Sequence, residues 1–206
     1  MEDPRGELEA ALGLENQIER KLAVAALIDE LIRDFGFRAI VIGGVAVEFW
    51  THGEYSTTDL DLYLPHGPAV DDRLALLGFR KEGRHWVLPE HDLFVEAPAS
   101  FPAEDEEVAE VSLPNGRTAL VLASEDVLVY RLHEFVATGH REIASQSVSL
   151  LTAPGVDRKR LARRAEQEGL SEALAELEKL AERIASGDAL EAYELQEIAK
   201  RLQSGG

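Results

Sequence analysis

The chain has 206 residues, a hydrophobic content of 45% and a formal net charge of −18 at pH 7. That length holds one domain with a helical appendage, or two small domains, and the apolar content is ample for a core. The absence of cysteine excludes disulfides and thiolate metal sites, and so strong a negative field disfavours long nucleic acid, whose phosphates need clustered Lys and Arg.

Ile18, Leu22, Ala25, Leu27, Leu31 and Ile32 recur at helical spacing, which predicts an amphipathic helix over residues 14–35, ended by Gly36. Residues 37–42 form a continuous β-branched run, as in a buried strand. A short helix over residues 45–52 ends at Gly53, and a strand over 58–64 is closed by Pro65-His66-Gly67-Pro68. A helix over 70–77 stops at Gly78. Strands at 84–88 and 92–97 form a hairpin through Pro89-Glu90-His91. A polar loop over 98–107 leads to a second hairpin, 108–113 and 118–122, turning at Pro114-Asn115-Gly116. Ser124 is a good N-cap for a helix to residue 137, with Glu125 and Asp126 in its first turn. Helices over 140–151, 157–168, 171–186 and 188–203 follow, with glycines at 155, 169 and 187 between them. The pattern divides the chain into an α/β core over residues 14–123, with a mixed sheet, and an all-α region over 124–206.

The basic run Arg158, Lys159, Arg160, Arg163 and Arg164 spreads around most of a helix circumference. This favours a solvated helix over an RNA-binding patch.

The chemistry concentrates between Val41 and Leu64. Residues i and i+2 of a strand face the same way, so Asp59 and Asp61 share one face and Leu60 and Leu62 the other. Two carboxylates that close repel unless a cation lies between them or one takes a proton. Hard oxygen ligands suit Mg²⁺. Gly43-Gly44 places backbone N–H groups at a helix N-terminus, a seat for phosphate. Carboxylates beside a phosphate seat point to phosphoryl or nucleotidyl transfer. Mere turn geometry at the glycines and a chance surface Asp-x-Asp are the plain alternatives.

Ile42-Gly43-Gly44, a 14-residue spacer and Asp59-Leu60-Asp61-Leu62 together resemble the signature of the nucleotidyltransferase superfamily of the DNA polymerase β type. The spacer is slightly longer than is usual there. Gly-Gly-x-Ala at the start and Thr57-Thr58-Asp59-Leu60-Asp61 at the end look most like the small bacterial and archaeal members, the abortive-infection toxin group included. The resemblance covers roughly residues 36–100 and fades toward 151. It implies a nucleotidyltransferase-like α/β core followed by the helical region. It also implies that Asp59 and Asp61 hold Mg²⁺ or Mn²⁺, that Gly43 and Gly44 contact the β and γ phosphates, and that Thr57 and Thr58 donate to phosphate or orient the carboxylates.

The resemblance further implies a third acid on a later strand. Glu96, in an apolar setting, is preferred, and Asp92, beside a turn, is the alternative. Glu in place of the commoner Asp departs from the family pattern. Arg131 could steady a phosphate, although an ion pair with Glu125, Asp126 or Glu134 is the better reading of its spacing. Trp50 reads as packing, and His52, His85 and His91 as surface residues.

The resulting expectation is a Mg²⁺-dependent enzyme that moves NMP from an NTP, such as ATP, to a hydroxyl on a protein, a tRNA end or a small molecule. The alternatives are a degenerate fold that binds nucleotide or a protein partner without turnover, and one component of a toxin–antitoxin or phage-defence pair. No apolar run is long enough to span a membrane and the N-terminus is acidic, so no membrane association and a cytoplasmic location are expected.

Overall fold

The computed structural model describes residues 3–204. The chain divides into two compact units, Met1–Ala123 and Ser124–Gly206.

The first unit opens with a helix absent from the sequence expectation, α1 (Pro4–Leu12). Asp3 caps it by accepting from the Gly6 amide, and Pro4 occupies its first turn, where a missing N–H costs nothing. Its apolar stripe is short, only Leu8 and Ala11 being buried, which is why periodicity does not announce it. Helix α2 (Gln17–Ile32) is capped by Asn16, which accepts from the amides of Ile18 and Glu19. Its last turn tightens over Arg33–Phe35 and ends at Gly36, in the left-handed region at φ 77°.

Seven strands form one mixed sheet: β1 (Ile40–Val41), β2 (Asp59–Tyr63), β3 (Arg80–Glu82), β4 (His85–Leu88), β5 (Leu93–Ala99), β6 (Val108–Ser112) and β7 (Thr118–Leu122). Their spatial order is β3-β4-β5-β2-β1-β7-β6. The pairs β2–β5 and β1–β7 are parallel and the others antiparallel. Helices α3 (Gly43–Trp50) and α4 (Pro68–Leu76) flank β2 in the chain. Val41, Leu60, Leu62, Val95 and Val121 are fully buried, with α2 and α3 against the sheet.

Two strand expectations need correction. The strand expected over 37–42 pairs only at Ile40 and Val41; Arg38 is drawn off to the buried carboxylate of Asp29. The expected two-strand hairpin is a three-strand meander, because β3 precedes it and Gly83-Arg84 forms a two-residue turn between Glu82 and His85. All three residues of β3 are charged and exposed, so no hydrophobic alternation marks it.

The second unit is helical: α5 (Ser124–Thr138), α6 (Arg141–Thr152), α7 (Arg158–Gln167), α8 (Ser171–Ala185) and α9 (Ala192–Ser204). Helix α5 packs against the other four and buries Leu128, Leu132 and Phe135. The basic run on α7 is not simply solvated. Arg160 and Arg164 are buried and ion-paired with α5: Arg160 reaches Asp126 at 2.5 Å and Glu125 at 3.4 Å, and Arg164 reaches Asp126 at 2.8 Å. Glu125 also accepts from the Asp157 amide at 2.7 Å. Helical spacing i, i+4 puts Arg160 and Arg164 on one face, and the acids beginning α5 draw that face inward. Among the described residues no helix is long and apolar enough to cross a membrane.

Candidate active site

The strand β2 places its residues as its alternation demands. Leu60 and Leu62 are buried on one face, while Asp59 is exposed and Asp61 half-buried on the other. Parallel pairing with β5 sets Asp59 opposite Phe94 and Asp61 opposite Glu96, and antiparallel pairing with β4 sets Glu96 opposite His85. Residues directly opposite in a sheet share a face. Asp61, Glu96 and His85 therefore form a row across three adjacent strands.

The Gly-Gly turn meets this row at Asp61. The Ile42 amide donates to the Asp61 carbonyl at 3.0 Å, and the Gly44 amide donates weakly to Asp61 Oδ2 at 3.4 Å. The first turn of α3 thus faces a carboxylate, the charge its dipole favours. Gly43 sits at φ 58°, and a Cβ there would lie 2.1 Å from Asp61 Oδ2. A Cβ at Gly44 would lie 3.0 Å from the Thr57 side chain. Gly43 is required by close approach and by its backbone conformation, while a side chain at Gly44 would press on Thr57.

The segment leading into β2 is held from below by a pair that the sequence reading missed. Lys21 on α2, half-buried, and Glu48 on α3, buried, form an ion pair at 2.5 Å. Lys21 Nζ also donates to the Thr57 carbonyl at 2.6 Å, and the Thr57 amide approaches Glu48 Oε2 at 3.4 Å. A signal was present: Glu48 is the single charge in the apolar helix Gly43–Trp50, and a buried charge needs a partner. Thr58 Oγ1 then donates to Asp59 Oδ1 at 3.2 Å. Beside it lies a cavity of about 330 Å³, lined by Arg20, Lys21, Ser56, Thr57, Thr58 and Asp92 among others.

The two candidates for the third acid are placed differently. Glu96 lies within β5, in register with Asp61, and is paired with Arg84 at 3.1 Å and with His85 Nδ1 at 3.7 Å. Asp92 precedes β5 in a left-handed conformation, φ 48°, and borders the cavity. Arg131 belongs to the second unit, where it pairs with Glu134. Trp50 donates its indole N–H to the Leu122 carbonyl at 2.8 Å and packs edge-on against Phe49, as a packing residue does. His91 pairs with Glu9 at the surface, 3.1 Å apart.

The donor set of Asp59, Asp61 and Glu96 suits a hard divalent cation. Among the described residues, however, no three His, Asp or Glu side chains converge closely enough to hold one. Within the row, the carboxylate of Glu96 is directed at Arg84 and His85.

No family model matches the chain, and no curated protein matches it. Among solved structures, the fold is similar to an antigenic nucleotidyltransferase-like protein from Paracoccidioides brasiliensis, with 15% identity and a TM-score of 0.48, over 75% of this chain and 92% of that one.

Proposed function

We propose that the chain is a divalent-metal-dependent nucleotidyltransferase, which moves NMP from an NTP to a hydroxyl acceptor. The observation that carries this reading is the placement of Asp61. Its carboxylate lies against the Gly43-Gly44 turn on one side and in register with Glu96 on the other, with Asp59 two residues away on the same face. Asp59 and Asp61, with Glu96, would hold Mg²⁺ or Mn²⁺, which supplies charge stabilisation to the attacking and leaving oxygens of an in-line displacement. Thr58 orients Asp59 through its hydroxyl, and the amides of the Gly-Gly turn would contact phosphate oxygens. In the displacement, the acceptor oxygen bonds to the α-phosphorus, the bond from that phosphorus to the bridging oxygen breaks, and pyrophosphate leaves. The acceptor proton passes to a carboxylate of the row.

The test is transfer of label from each α-labelled NTP with Mg²⁺ or Mn²⁺ to acceptors in a cell extract, with Asp59→Asn as control. A labelled product that vanishes in the variant is expected. No label with any nucleotide or metal would remove the enzymatic reading. One observation favours a second reading, a nucleotide-binding module without turnover: Glu96 is already ion-paired with Arg84 at 3.1 Å, with His85 Nδ1 3.7 Å away.

A further inference from the structure

Lys21, whose Nζ reaches the Thr57 carbonyl, is half-buried and committed to Glu48. Beside the row stands a cation with reach. Arg84 occupies the tip of the β3–β4 turn, its side chain 75% exposed, and stands 3.1 Å from Glu96, whose own side chain is 23% exposed. Its Nε donates to His85 Nε2 at 3.2 Å. Gly83 beside it has φ 62°, with no other group within 4 Å of a Cβ built there. The guanidinium therefore stands mostly in solvent, with Glu96 and His85 as its contacts.

We infer that Arg84 is the phosphate-binding residue of the site, held on Glu96 until a divalent ion takes that carboxylate. The inference rests on the nucleotidyltransferase reading above. An ion pair this exposed is weak and screened by solvent, so a divalent ion held by Asp61 and Glu96 would displace it. The guanidinium released is then close to the row where phosphate oxygens would lie, and its planar fork binds them in pairs.

Two binding measurements on the intact protein test this, neither needing turnover: Mn²⁺ alone, and a non-hydrolysable α,β-methylene ATP with Mn²⁺ present. Arg84→Ala should bind Mn²⁺ about fivefold tighter, because a competing cation is gone. It should bind the analogue about tenfold weaker, because the phosphate contact is gone. Arg84→Lys should restore part of the analogue affinity. Arg80→Ala, exposed on the same hairpin, removes equal charge and should change neither. The inference is overturned if Arg84→Ala and Arg80→Ala shift Mn²⁺ affinity alike, or if the analogue binds Arg84→Ala as well as wild type. A wild-type protein that binds Mn²⁺ and loses it in Asp61→Asn, with Arg84→Ala unchanged, overturns only the role of Arg84. Binding of neither probe by wild type or Arg84→Ala overturns that role together with the metal-dependent reading.

Discussion

Gly43 and Asp61 are in contact: a methyl group on the glycine would overlap the carboxylate oxygen of the aspartate, at 2.1 Å. The glycine is therefore part of the carboxylate site, beyond its service as a turn residue. Gly43→Ala must adopt a left-handed backbone and displace Asp61 together. The expected loss is about 2–4 kcal/mol, with transfer activity lost as well. Gly36→Ala, also left-handed but with open space around it, should cost only about 1 kcal/mol. Thermal melts of the two variants compare them directly. Equal losses would mean that the close approach to Asp61 has no energetic weight.

Removing a carboxylate from the row should separate stability from chemistry. Asp59→Asn and Asp61→Asn should each abolish label transfer while changing stability by no more than about 1 kcal/mol, since Asp59 is exposed and neighbouring carboxylates repel. Wild-type rates in both variants would show that the transfer site lies elsewhere.

The pair Lys21–Glu48 supports the entry to β2 from within the core. Lys21→Met leaves a buried, unpaired carboxylate and should cost about 3–5 kcal/mol. The double variant Lys21→Met with Glu48→Leu should regain most of that loss, because no lone charge remains. It should still impair transfer, because the Thr57 carbonyl loses its donor. Denaturant melts and label transfer on the single and double variants give both readouts.

Asp29 gives the first unit an acid-sensitive anchor. Burial alone would raise its carboxyl, but hydrogen bonds from Arg38, Arg33 and the Ala39 amide outweigh that and hold it below the ordinary value of 3.8. A depressed pKa means that the unfolded chain takes up the proton first as pH falls. The contribution of Asp29 is thus complete above pH 3.8 and is lost progressively as pH falls toward the lower folded value. Asp29→Asn should be less stable at neutral pH and show a shallower decline in stability below about pH 4. An unchanged slope in the acid limb would count against this anchor.

In the helical unit, Asp126 receives both Arg160 and Arg164. Asp126→Ala should cost about 3–5 kcal/mol by leaving two guanidinium groups buried without it. Lys159→Gln and Arg163→Gln, both exposed, should stay within about 0.5 kcal/mol of wild type. The contrast in melting temperature separates the structural from the solvated members of the same basic run.

The sequence made the strongly patterned parts readable. Period-two alternation located β2 and its acid-bearing face, helical spacing located α2, and glycines marked the ends of several helices. What escaped was held by contacts distant in sequence. Lys21 and Glu48 lie 27 residues apart, and Arg160 and Asp126 34 apart, so no local spacing pairs them. The strand β3 has no apolar residue to betray it. Glu96 was picked out by its apolar neighbours, but its partners Arg84 and His85 depend on the register of β4 against β5, which a single strand pattern does not contain.

The charged strand β3 has a further consequence. It is the last strand of the sheet on its side, and Arg80, Lys81 and Glu82 are all exposed there. An outermost strand offers unpaired backbone groups to any passing chain, and charge on it discourages that docking. Lys81 also lies over the Trp86 ring, 3.0 Å from its centroid. A chain with these three residues replaced by valine or threonine would keep its interior intact. In concentrated solution it would join edge to edge into insoluble assemblies well before its melting temperature.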